Sequence, residues 1–129
     1  GIGRPRVEAS FVPGVLDAMI KVPDVWSLAA MHSLSVRLGR RVGGSTGTNL
    51  VAALACAQSL KANEQGGSVV TLLCDDGERY RHSYFNDDWL QDNGLECGAQ
   101  SDAMDALIDH GDWPADLRRA WRLAGDMAL

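Results

Sequence analysis

Two short stretches gather the side chains that could do chemistry. The first is Gly43-Gly44-Ser45-Thr46-Gly47-Thr48-Asn49. Glycines let backbone N–H groups approach a ligand closely, and a helix start carries partial positive charge. Together they can hold a phosphate or a carboxylate. The spacing is neither that of a Walker A loop nor that of a dinucleotide fingerprint. A capped helix start packed tightly on a neighbour explains the same residues. The second stretch is Cys74-Asp75-Asp76-Gly77-Glu78-Arg79-Tyr80. Its adjacent carboxylates could hold a cation or a protonated ring nitrogen. A solvated turn, with an Asp capping a short helix after Gly77, also accounts for them.

The remaining reactive side chains form no comparable group. His32, His82 and His110 are scattered and read as surface or capping residues, and no Ser–His–Asp arrangement can be placed by spacing. Cys56, Cys74 and Cys97 are odd in number and widely spaced, with neither a CxxC pair nor a zinc pattern. They are expected to be reduced thiols of a cytoplasmic protein. The four tryptophans read as packing anchors, and Arg40-Arg41 as a helix-end pair favoured by the dipole.

The elements that must position these residues follow from periodicity. Ser68 to Cys74 (SVVTLLC) is a continuous apolar, β-branched run, which predicts a central strand of a parallel sheet covered on both faces. It delivers the Asp75-Asp76 turn at its carboxyl end, where open α/β sheets bind ligands. Gly39–Gly44 is expected to break the preceding helix, and a second helix to begin within Ser45–Asn49 and run to about Ala62. That helix is apolar almost all round and is expected to be buried on most sides. Upstream, Asp24 is expected to cap a helix over Val25–Leu38, with Leu28, Met31, Leu34, Val36 and Leu38 on its apolar stripe. Residues 1–16 read as an ordered loop, and Asp17 to Val22 as a possible short strand. Beyond the second motif, Trp89, Leu90 and Leu95 suggest short helical or irregular packing. Ser101–His110 and Pro114–Met127 predict two further helices, the latter with Pro114 at its first position. One strong strand and one weak one are too little sheet for this much apolar helix. The core is therefore expected to be completed by something outside this chain, and the chain alone to be poorly stable.

Composition sets the outer bounds. The chain has 129 residues and 13.9 kDa, enough for one small domain. Apolar residues at 46% can build a core, and 22% charged residues are ordinary for a globular domain. A formal charge of −5 argues against a general nucleic-acid or anionic-membrane binder. No apolar run is long enough to span a bilayer, and no secretory signal is visible.

Taken in order, GIGRPRVEASFVP, GRRVGGSTGTNL and SVVTLLCDDGERY resemble the carboxyl-terminal part of the PLP-dependent cysteine synthase family. The likeness covers roughly residues 1–92. It is nearest the actinobacterial branch that includes L-cysteine desulfhydrase. The resemblance implies an α/β fold: part of a fold-type II (tryptophan synthase β-like) PLP enzyme, with helices packed on a partial parallel sheet. It divides the chain into a partial synthase-like domain over 1–92 and a helical tail over 93–129. A homodimer, a cleft holding pyridoxal 5'-phosphate, and cysteine or O-acetylserine as substrate are implied as well.

By the same resemblance Gly1, Ile2 and Gly3 line the cleft, Gly44, Ser45 and Thr46 support its wall, and Asp76 faces the cofactor's pyridine nitrogen. The family places a Ser or Thr at that last position. A carboxylate there would favour the protonated ring, a stronger electron sink. The family's Schiff-base lysine has no counterpart, since the chain holds only Lys21 and Lys61, neither in such a motif. No catalytic residue and no metal ligand is assigned. The expectation is a fragment of a β-eliminating or β-replacing enzyme, inactive alone. The competing expectations are a non-catalytic remnant or interaction module that pairs with a separate amino-terminal part, and a small anion-binding domain.

Overall fold

Small side chains decide how the central helix packs. The chain is described here by a computed structural model covering residues 9, 10, 12–15 and 20–118. Its main elements are α1 (Asp24–Leu38), α2 (Gly44–Ala62), α3 (Asp87–Asp92) and α4 (Gly98–His110). In α1, Trp26 through Met31 are all buried, as are Ser33 and Ser35. Ala29 and Ala30 let neighbours approach from two sides, so α1 packs against both α2 and α4. Leu28 and Met31 are fully buried there. Each such side chain contributes roughly 1.5–3 kcal/mol by leaving water. Met104 and Leu107 of α4, with Val51 of α2 and Leu90 of α3, complete one core.

The expected apolar stripe of α1 is therefore corrected. Val36 is 82% exposed and Leu38 is also on the surface, while serines and alanines lie inside. The buried serines are satisfied: Ser35 Oγ donates to the Met31 carbonyl and accepts the Val42 N–H. The start of α1 is corrected too. Pro23 occupies the cap position without a side-chain bond, and Asp24 is the first helical residue. Gly39 ends the helix in the left-handed conformation at φ 64°, which a residue with a Cβ rarely adopts.

α2 is buried along one face only. Gly44, Thr46, Gly47, Val51 and Ala55 face inward, while Cys56 and Ala57 are exposed. The expectation of burial on most sides does not hold within these residues, because nothing among them covers the outer face.

The larger correction concerns Ser68–Cys74. Among the described residues no strand forms, and only an isolated antiparallel bridge joins Val42 and Asp76. The segment has no partner strand and is exposed, with Val70 at 89% and Leu72 at 72% exposure. A strand is stabilised by its neighbours' hydrogen bonds and side chains, and here none lies alongside. The partial parallel sheet is accordingly absent from the described residues. Of the weaker expected strand, residues 17–19 lie outside them, and residues 20–22 form no regular element.

α4 begins at Gly98, three residues earlier than expected, and stops at Gly111 with φ 78°. Of the expected last helix, residues 115–118 are helical and the rest lies outside the described residues. Within the expected amino-terminal loop, Pro13–Val15 form a single 3-10 turn.

Candidate functional site

The two motifs meet. Val42 bridges to Asp76, the Gly43 N–H donates to the Asp75 carbonyl at 2.9 Å, and the Gly77 N–H donates to the Arg41 carbonyl at 3.2 Å. Further along, the Cys74 N–H donates to Thr46 Oγ1 at 2.9 Å, and Asn49 Nδ2 donates to the Leu72 carbonyl at 3.2 Å. The first turn of α2 and the turn after Cys74 thus form one corner, stitched by backbone and short side chains.

Glycine is required at this corner for steric reasons. A Cβ on Gly77 would lie 2.6 Å from Arg41 backbone, and one on Gly43 would lie 3.0 Å from Asp75 Cβ. These contacts match the packing reading of the glycine-rich stretch: buried Gly43 seats the start of α2 against Asp75, and Gly47 serves tight helix packing.

Each candidate residue has a definite place. Gly44 and Thr46 are buried in the first turn of α2, with Ser45 half-buried between them. Thr46 is occupied as the acceptor for Cys74. Asp76 is exposed, and its Oδ1 accepts the Glu78 N–H at 2.9 Å, capping the 3-10 turn Gly77–Tyr80. One oxygen is thus committed to holding the turn. Gly1, Ile2 and Gly3 lie outside the described residues.

The charges here are largely paired. Arg41 meets Glu78 at 2.8 Å and lies over the Phe85 ring, and Arg79 meets Asp75 at 3.3 Å. These pairs are exposed and orient more than they stabilise. Tyr80 donates its hydroxyl to Asp75 Oδ2 at 2.7 Å, and this bond pushes the phenol above its ordinary range. An open groove of about 490 Å³ lies beside the corner, lined by His32, Arg40, Arg41, Glu78, Phe85 and others.

The expectation for His32 is corrected: it is neither surface nor cap. Nε2 lies 2.6 Å from the Tyr84 carbonyl, which can only accept, so Nε2 carries the proton. Nδ1 is then the acceptor facing Cys97 Sγ at 3.7 Å. Burial pushes the Cys97 thiol up, which fits a packed thiol rather than a nucleophile. Residue identity alone gives no signal for this pair, because His32 and Cys97 meet only through the packing of α1 against the start of α4. Trp26 is buried, and Trp89 and Trp113 pack against the core, as expected of anchors. Among the described residues no group of three metal-ligating side chains occurs, and no helix is long and apolar enough to cross a membrane.

Comparison with known proteins shows which family these motifs belong to. The chain is 51% identical over 104 residues to L-cysteine desulfhydrase Cds1 of Mycobacterium tuberculosis, covering 81% of this chain and 28% of that protein. It is 34% identical over 113 residues to cysteine synthase 2 of Neurospora crassa, covering 86% of this chain and 24% of that protein. The chain belongs to the PLP-dependent cysteine synthase family. A putative pyridoxal-phosphate dependent protein of Caenorhabditis elegans is 33% identical over 100 residues, covering 68% of this chain and 23% of that protein. The chain thus spans about a quarter of the length of these relatives, between 23% and 28%. No family model matches, and no solved structure matches.

Pyridoxal phosphate is the cofactor expected of the complete enzyme. The corner's donor set suits one side of that molecule. It offers the Ser45 hydroxyl, the backbone of a helix start, and the Asp76 carboxylate. It does not supply the anchoring amine. Lys21 and Lys61 are both exposed, and Lys61 sits at the far end of α2. A helix rises 1.5 Å per residue, which puts Lys61 about 25 Å from the corner.

Proposed function

We propose that this chain forms one wall of the coenzyme cleft in a PLP-dependent enzyme of cysteine metabolism, acting by β-elimination or β-replacement on cysteine or O-acetylserine. The observation that supports it most is the meeting of the two family motifs at one corner, Gly43 on Asp75 and Gly77 on Arg41. When bound, pyridoxal phosphate withdraws electrons from the amino acid's Cα, so that a β-substituent can leave. The chain's own residues orient and tune. Gly44, Ser45 and Thr46 form the wall, with Thr46 holding it to Cys74. Asp76 presents its carboxylate from the capped turn to the ring nitrogen. A cleft-lining role for Gly1, Ile2 and Gly3 belongs to the same reading, as do a homodimer and a cytoplasmic setting.

The anchoring amine and the layers over Ser68–Cys74 come from sequence outside this chain. The exposed apolar side chains of that segment, which has no partner strand, favour this arrangement, and they suit the second reading equally, a module completed by a separate amino-terminal part.

The test is turnover. The complete protein with pyridoxal phosphate should release sulfide from L-cysteine, or make cysteine from O-acetylserine and sulfide, while residues 1–129 alone should do neither. Turnover by the chain unaided overturns the proposal, as does inertness of the complete, cofactor-loaded protein toward both substrates. Replacing Asp76→Ser in the complete protein should move the cofactor's absorbance. An unmoved spectrum and an unchanged rate would remove Asp76 from the wall.

A further inference from the structure

We infer that Tyr80 is a positioning residue for the cofactor wall: acting with Asp75, it fixes the Gly43–Ser45 turn that opens α2. The inference rests on the cleft reading above and names a residue that reading leaves unused.

The geometry is direct. Tyr80 donates its hydroxyl to Asp75 Oδ2 at 2.7 Å, and the Asp75 carbonyl accepts the Gly43 N–H at 2.9 Å. The edge of the Tyr80 ring also lies close beside the turn. A Cβ on Gly43 would lie 3.2 Å from Tyr80 Cε2 and 3.0 Å from Asp75 Cβ. The turn is therefore held by a backbone bond to Asp75 and flanked by the Cε2 edge of the ring whose hydroxyl orients Asp75. The ring is braced in turn. It stacks on Tyr84 with centroids 5.0 Å apart and planes 13° apart, and Tyr84 meets Trp89 edge-on at 5.7 Å. Trp89 packs against the core. A line of aromatic contacts thus runs from the core to the turn. The bond to Asp75 holds the phenol above its ordinary range, so it keeps its proton and its donor role across neutral pH.

The hydroxyl is separable from the ring. Tyr80→Phe removes the donor while leaving the stack and the contact with Gly43. Asp75→Asn keeps an acceptor oxygen and is the conservative control. A tyrosine that merely supported the fold would move the melting temperature alone. A positioning tyrosine also moves what the turn presents to the coenzyme.

The experiment uses the complete protein with and without pyridoxal phosphate. Three quantities are followed: the bound coenzyme's absorbance and emission, its dissociation constant, and amide exchange at Gly43–Ser45. Loss of a hydrogen bond to a charged acceptor predicts exchange about tenfold faster and coenzyme binding roughly three- to tenfold weaker in Tyr80→Phe. A shifted cofactor band should accompany both, with Asp75→Asn, which keeps an acceptor oxygen but loses the charge and the Arg79 pair, falling between the parent and Tyr80→Phe. Parent-like exchange, band and affinity in Tyr80→Phe would overturn the inference, as would an effect confined to melting temperature. If the parent itself shows no cofactor band, the cleft reading falls separately. Exchange still decides then: acceleration supports Tyr80's hold on the turn, and unchanged exchange ends it.

Discussion

Gly47 lies directly beneath Ser27: a Cβ at Gly47 would sit 1.9 Å from the Ser27 carbonyl oxygen and 2.8 Å from the Met31 backbone nitrogen. Thr48 donates its hydroxyl to Ser27 Oγ at 2.8 Å, which pins the same crossing one residue on. The helices α1 and α2 therefore touch backbone to backbone. The atoms in the way belong to a helix and cannot swing aside. Gly47→Ala should lower the complete protein's stability by about 3 kcal/mol, the upper range for overpacking a rigid site. Urea unfolding checks this, and a midpoint equal to the parent's would show that the crossing is looser than described.

Arg37 ties α1 to α4 through Asp105 and Asp109 on the exposed side, with 2.8 Å to Asp109. The guanidinium holds the Asp109 carboxyl below the ordinary carboxylate range. A lowered folded value means that the stabilisation is present above the unfolded value near 3.9 and is lost as pH falls through the folded one. Titration of Asp109 by NMR should show the depressed value in the parent and a return toward about 3.9 in Arg37→Ala. Added salt should weaken the effect, because both partners face solvent. A carboxyl that titrates alike in both proteins would contradict the pairing.

Cys56 and Cys74 are exposed, while Cys97 is buried against His32. Thiol labelling of the native chain should therefore modify Cys56 and Cys74 quickly. Cys97 should react only when urea opens the start of α4. Rapid labelling of Cys97 without denaturant would mean that burial does not protect it.

The exposed Val70 and Leu72 give the chain alone a surface that soluble monomers seldom carry. The isolated chain should bind a hydrophobic dye and self-associate. The double replacement Val70→Lys with Leu72→Lys should suppress both while leaving helix content unchanged. In the complete protein the same pair of changes should prevent folding, since those side chains would then be inside. A dye-silent, monomeric parent chain would show that the segment is already covered.

Much of the corner was legible in the residues. The glycine-rich stretch and the Asp75-Asp76-Gly77 turn were singled out by type and spacing, and their order carried the family. The Asp76 cap was among the readings offered, and the structure bears it out. Other features were not legible. The burial of Ala29, Ala30 and Ser35, in place of Val36 and Leu38, depends on two helices approaching α1 from different sides. A one-face periodicity does not encode that.

The sequence by itself determined that α1 ends in the glycine-rich break after Leu38, because Gly39 acts on its own backbone. It also determined the family, through motifs whose order survives without any coordinates. Only the tertiary structure decided the rest. It left Ser68–Cys74 without a partner strand, paired His32 with Cys97, and set Tyr80 beside Gly43. These are relations between residues distant along the chain, and their energy depends on which neighbours are present. A β-branched run becomes a strand only when another backbone lies beside it to take its hydrogen bonds.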